Sequence, residues 1–178
     1  MSLIDKTYFQ VEPVFIPNSN SNVGGISQDI TTDRDAQILR LINVNEPKYL
    51  KALLGVDMYN LFIAGLAETT PDAKWTALKA KIVDESNKIS PIANYICVIY
   101  LGSRATTEAG IVMPKVENAT QVSVIEKQCE IWNEMVDMNL ELCQWLFENS
   151  ATYETDTVEF PLWVEGIGLL RRKNIFNI

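Results

Sequence analysis

Six carboxylates in the second half of the chain stand at a spacing that chemistry can use. Glu126, Glu130, Glu134, Asp137, Glu141 and Glu148 follow one another at steps of 4, 4, 3, 4 and 7. On a helix, at about 100° per residue, they fall in one narrow arc. Such a ridge can face a basic surface, for which the tail cluster Arg171-Arg172-Lys173 is a candidate, especially on a neighbouring subunit, or line a space where nucleic acid passes without sticking. It can equally be a solvated face that keeps an acidic protein soluble. Carboxylates one turn apart can also share a hard cation, but the sequence has no loop-type calcium pattern. Like charges at i,i+4 repel, and four close steps cost about 1 kcal/mol before salt screening. Lysine has a similar helix propensity, so propensity alone does not require the ridge.

Other chemistry is narrowly bounded. The chain contains no histidine. That removes the usual catalytic base, the commonest metal ligand and the usual pH switch. Ser–His and Cys–His nucleophile pairs are excluded within the chain. Of the three cysteines, Cys129 and Cys143 share a helix face but lie about 21 Å apart along it, too far to pair within that helix. Cys97 sits in the most apolar stretch, and all three read as small core residues in a reducing compartment. An acid–base enzyme would have to use Asp33 with Asp35, or Glu154 with Asp156. Both pairs occupy cap or linker positions, where acids occur for local reasons. Gly166-Ile167-Gly168 has no phosphate-binding context and reads as a bend. The expected catalytic, cofactor and metal residues are therefore none.

Charge is uneven along the chain. The 178 residues carry a formal net charge of -8. From Glu117 to Glu159 there are ten acids against one base, Lys127, so the rest is close to neutral. Generic binding to a phosphate backbone does not fit that balance. The first residues lack the basic start and apolar run of a secretory signal, and the longest apolar run, Tyr95 to Leu101, is too short to span a bilayer.

The elements that must position the ridge are helical. Thr120 to Asn149 reads as one long helix. Beside the ridge it carries Val122, Ile125, Cys129, Trp132, Val136, Leu140, Cys143 and Phe147. Ile131, Met135, Met138, Leu142, Trp145 and Leu146 extend the apolar arc, predicting a helix mostly wrapped in protein and carrying a single acidic ridge. Ser90-Pro91 is a strong helix start, and the helix it opens is apolar on nearly all sides from Ile92 to Leu101, as in the centre of a bundle. Thr69-Thr70-Pro71-Asp72 reads as a turn and cap before a helix from Ala73 to Glu85 with Trp75, Leu78 and Ile82 inward. A helix from Asp33 is followed by a fresh start at Asn45-Glu46-Pro47 and a stop at Gly55, with another short helix beyond it.

Two segments lie outside these helices. Tyr8 to Ile16 has strand-like content interrupted by Pro13, which suits an edge strand or an extended arm. The arm either packs on its own domain or crosses to a neighbour. Gly110 to Ala119 is an extended connector whose Ile111, Val112, Met113 and Val116 either lie back on the bundle or form a subunit interface. Ser150 to Thr157 reads as an acidic linker. Val158 to Ile178 is a tail with the one basic cluster, Arg171-Arg172-Lys173.

Three blocks in this order resemble the head–tail connector (head-completion, neck adaptor) proteins of tailed bacteriophages and prophages. The first is Tyr49-Leu50-Lys51-Ala52-Leu53-Leu54-Gly55 followed by Met58-Tyr59-Asn60-Leu61. The second is the apolar helix from Pro91 to near Gly110. The third is the extended link into a long helix beginning near Val122-Ser123. They span Asp33 to Asn149, about two-thirds of the chain. The resemblance implies a helical adaptor that assembles as a homo-oligomeric ring beneath the portal and joins the DNA-filled head to the tail. It implies no catalysis and no cofactor; the expectation of no membrane partner comes from the short apolar runs. It places the protein in the bacterial host cytoplasm during assembly and then in the virion neck.

The expected architecture is all-α: a bundle of about five to six helices (33–149), an extended N-terminal arm (1–32), and an acidic linker with an irregular tail (150–178). The competing expectation is a soluble all-helical protein-binding module of a bacterium, which needs no ring.

Overall fold

The computed structural model describes residues 2–16, 28–107 and 124–153. Within them lie six α-helices: α1 (Gln28–Leu54), α2 (Val56–Leu66), α3 (Ala73–Ile82), α4 (Pro91–Thr107), α5 (Val124–Glu148) and α6 (Ser150–Tyr153). Among the described residues the only β pairing is one isolated bridge, Asp84 to Ile89, so the fold is an all-α bundle.

The helix boundaries follow local chemistry. Asp72 accepts from the Lys74 amide at 3.1 Å and opens α3. Ser90 Oγ accepts from the Ile92 amide at 3.2 Å and opens α4 ahead of Pro91, whose missing N–H costs nothing there. Gly55, at φ 79° and ψ 161°, separates α1 from α2 in a conformation that is essentially glycine-only. The chain bends by 118° at that corner.

α4 and α5 form the central pair, with α1 packed on α4 and α2 on α1. α4 contributes Ile92, Ala93, Ile96, Cys97, Val98 and Tyr100 to the core. α5 contributes Ile131, Trp132, Met135, Val136, Leu142 and Leu146. α2 and α3 meet where Gly65 lets the Trp75 ring lie directly on the α2 backbone. Among the described residues no single helix is long and apolar enough to cross a membrane.

Four expectations need correction. The fresh helix start at Asn45-Glu46-Pro47 does not occur, because α1 runs unbroken through Pro47. A proline inside a helix costs about 3 kcal/mol. Six buried side chains of α1 flank it: Ile38, Ile42, Tyr49, Leu50, Leu53 and Leu54. Each stabilises by roughly 1.5–3 kcal/mol, so keeping both halves in one core outweighs the proline. Asn43, whose carbonyl Pro47 leaves without its helical donor, is exposed and can be hydrated. The helix also begins at Gln28, not Asp33.

The second correction concerns Tyr8 to Ile16. It forms no strand; Lys6–Gln10 is a 3-10 turn that Asp5 caps by accepting from the Thr7 amide at 2.8 Å. Leu3, Ile4, Tyr8, Phe9, Val14 and Ile16 are buried in the chain's own core, so the segment packs on its own bundle. Thirdly, α3 ends at Ile82 and not at Glu85. The next residues make a tight turn in which Asp84 Oδ1 accepts from the Ser86 and Asn87 amides, both at 2.9 Å. Finally, the start of the supposed acidic linker is helical: α6 seats the Tyr153 ring on Trp145 and Trp75, and its hydroxyl donates to the Lys74 carbonyl at 2.8 Å.

Gly65 gives a direct test of this packing. A Cβ at that position would stand 2.1 Å from Trp75 Cδ1, on a ring fixed by Phe62 and Tyr153. Gly65→Ala is expected to destabilise the fold by about 2–3 kcal/mol, read as a lower urea midpoint at an unchanged slope.

Candidate functional site: the outer face of α5

α5 is held by one face. Ile131, Met135, Asn139, Leu142 and Leu146 are buried, and their spacing sets the direction of the core. Asn139 is a polar side chain in the middle of that apolar face. Its Oδ1 accepts a hydrogen bond from the Tyr49 hydroxyl of α1. The Tyr49 ring lies 5.1 Å from that of Tyr95 on α4. Burial pushes the Tyr49 phenol far above its ordinary range, so it remains a donor. Asn94 of α4 donates to the Ile131 carbonyl at 3.2 Å and to Glu134 Oε2 at 2.8 Å. Gln128 Nε2 donates to the Val98 carbonyl at 3.2 Å. These bonds fix the rotation and height of α5 against α4 and α1.

With that rotation fixed, the ridge turns away from the core. Glu126, Glu130, Glu141 and Glu148 are exposed, while Glu134 and Asp137 are half-buried at its edge. Glu134 is tied inward to Asn94, and Glu148 accepts from Gln144 at 3.0 Å. The ion pairs among the described residues are Lys6–Asp35, Lys79–Glu85 and Lys127–Glu12, at 2.5, 2.6 and 3.4 Å. Glu130 and Glu141 belong to none of them. Asp35 is engaged by Lys6, which gives it a structural role. Among the described residues no group of three or more acids or cysteines converges to hold a metal ion.

The outer face also carries apolar spots that the helical pattern assigned to the interior. Ile125, Leu140 and Phe147 are 54%, 46% and 77% exposed. They lie on the side of the helix away from Trp145, in a stripe that they share with the buried Trp132 and Val136. Cys129 and Cys143 sit in the same stripe, half-buried, and burial raises the Cys143 thiol above its usual value. Cys97 is fully inside, and its thiol is pushed up to about 12 by burial. α5 therefore shows solvent its acidic ridge and, beside it, separate apolar spots at Ile125 and at Leu140 with Phe147; Trp132 and Val136 of the same stripe are buried, so the expectation of a mostly wrapped helix is corrected only at those spots. The stripe is covered in its middle and bare towards its ends, and helical periodicity could not say how far the wrapping extends.

The proposed interface residues Ile111, Val112, Met113 and Val116 lie outside the described residues. So do Val122, Glu154, Asp156 and the basic cluster Arg171 to Lys173.

Sequence reasoning passed over Glu46 and Asn139. Glu46 is buried beside Pro47, and its carboxylate accepts from the Leu3 amide at 2.9 Å, the Ile4 amide at 3.4 Å and the Ser2 hydroxyl at 2.8 Å. It anchors the N-terminal segment to α1. The signal for Asn139 was a lone amide within an apolar stripe, which asks for a buried partner. No comparable signal marked Glu46, whose partners are main-chain amides more than forty residues away.

No family model, curated protein or solved structure matches the chain.

Two outcomes follow from this geometry. Replacing Glu130 and Glu141 with lysine turns repulsive i,i+4 neighbours into attractive ones. The double variant is expected to be more stable by about 0.5–1 kcal/mol in low salt, with the gain shrinking in about 0.5 M salt. Tyr49→Phe removes the hydrogen bond to Asn139 Oδ1 from the buried interior and is expected to cost about 1–3 kcal/mol. A double-mutant cycle with Asn139→Leu in urea reads the coupling of the pair directly, and a coupling of about 1 kcal/mol is expected.

Proposed function

We propose that this protein is a non-catalytic structural adaptor of a tailed phage or prophage virion, joining the portal of the filled head to the tail as a ring. The observation that carries the reading is the α1–α2 corner. Tyr49, Leu50, Leu53, Leu54 and Met58 are buried there around Gly55 in its glycine-only conformation. The block on which the resemblance rests is thus a structural unit of the core. The order of helices from α1 to α5, with an apolar central α4, supports the same reading. Leu61, the last residue of the block, is exposed and lends it nothing.

In this reading, the contacts between neighbours are heterologous and close by rotation. Ile111, Val112, Met113 and Val116 supply the apolar part of the interface. The ridge is turned outward and suits either a channel through which DNA slides or a basic surface. Partners are further copies of the chain and the portal and tail proteins. Assembly takes place in the host cytoplasm, and the product resides in the virion neck.

A second reading, a soluble helical protein-binding module, is favoured by one observation. Leu3 to Ile16 are packed into their own bundle, so the N-terminal segment is not reaching for a neighbouring subunit. The two readings separate by solution mass. Light scattering across a wide concentration range, alone and with the portal ring of the same phage or prophage, is expected to show a closed oligomer or a stoichiometric portal complex. Replacing Ile111, Val112 and Met113 with serine should abolish it. A chain that stays monomeric at every concentration and ignores the portal would overturn the adaptor reading in favour of the module.

A further inference from the structure

We propose that the outer face of α5 is the docking surface of the chain's own C-terminal residues, 154–178. The surface has two parts, and each asks for a different property in its occupant. The apolar patch near the C-terminal end of α5, Leu140 and Phe147 with the half-buried Cys143 between them, asks for apolar side chains. The adjacent acidic band, with Glu130 and Glu141 outside every ion pair of the described residues, asks for positive charge. Residues 154–178 contain both in one stretch: Phe160, Leu162, Trp163, Leu169 and Leu170, then Arg171-Arg172-Lys173. That cluster is the only run of three consecutive bases in the sequence.

The starting point of the segment favours the chain's own α5 over that of a second copy. Tyr153 is seated 5.5 Å from the Trp145 ring, on the flank of α5 that borders the acidic band. The segment thus leaves the described structure within a few residues of Phe147 and Glu148. From Glu148 back to Glu126 is about 33 Å along the helix. The 18 residues from Glu154 to Arg171 span up to about 60 Å, so the basic cluster reaches any part of the ridge. A tether of that length holds the two surfaces at millimolar effective concentration, far above what a separate copy supplies in dilute solution. The inference does not rest on the adaptor reading. It takes the basic-surface role of the ridge and identifies the surface.

The native cysteines report on it without further labels. Cys143 lies one turn from both Leu140 and Phe147, so an occupant of the patch shields its thiol. Cys97 is buried in the core and reports on global folding. Alkylation of each cysteine is followed in the full-length protein by mass spectrometry, in low salt at mildly alkaline pH. Each exposed charge pair is worth only a few-fold, so reversing all three bases (R171E, R172E, K173E) is expected to speed alkylation of Cys143 about tenfold while Cys97 stays protected. Adding Glu130→Arg and Glu141→Arg should slow it again. The wild-type protein in about 0.5 M salt should show part of the same acceleration, which tests the idea even where the reversed variant misfolds. Protection of Cys143 should not depend on protein concentration. An unchanged Cys143 rate in both the folded reversed variant and high salt would overturn the proposal. So would protection that grows with concentration, which would give the surface to a second copy.

Discussion

Enclosing α4 is the constraint on which the rest of the structure depends. A helix apolar on nearly all sides has no face to offer water, so other elements must cover it from several directions. α5 takes one side along most of its length, α1 another, and the N-terminal segment closes a third, with the Cys97 thiol against the Val14 carbonyl at 3.8 Å. This is why residues 2–16 belong to the core despite having neither helix nor strand pattern. It is also why α1 stays whole through Pro47: its apolar residues on both sides of the proline are buried in the same core.

Apolar burial alone does not select one rotation of a long helix. The buried polar groups do that. Asn139 reaches Tyr49 across the bundle, and Asn94 ties both a carbonyl and a carboxylate of α5. A register shift of α5 would leave several of these groups buried without partners, at about 1–3 kcal/mol each. Glu46 plays the same role for the N-terminal segment, holding two main-chain amides and a hydroxyl. The outward direction of the ridge follows from these inward bonds and not from any preference of the carboxylates themselves.

The ridge and the apolar spots next to it are held at some energetic cost. Four repulsive steps and an exposed Phe147 both work against the isolated fold, and neither is needed to build the bundle. Such features persist where a surface has something to meet. A connector ring, a basic partner and the chain's own C-terminal residues are alternatives of that kind, and all of them meet the acidic ridge.

From the sequence, the all-α class was legible, together with the helix starts at Asp72 and Ser90-Pro91, the stop at Gly55 and the central place of α4. These depend on cap chemistry and on periodicity, which act over a few residues. The common arc of the six carboxylates was legible for the same reason, since helical geometry places i, i+3 and i+4 together. Tertiary structure alone decided that α1 runs through Pro47, because a local penalty of about 3 kcal/mol was set against contacts far away in sequence. It alone decided that Tyr8 and Phe9 belong to a 3-10 turn, and that Ile125, Leu140 and Phe147 face outward although their spacing matches that of the core. Periodicity states that a side of a helix is apolar; how much of that side is covered depends on the number and angle of its neighbours, which no stretch of α5 encodes.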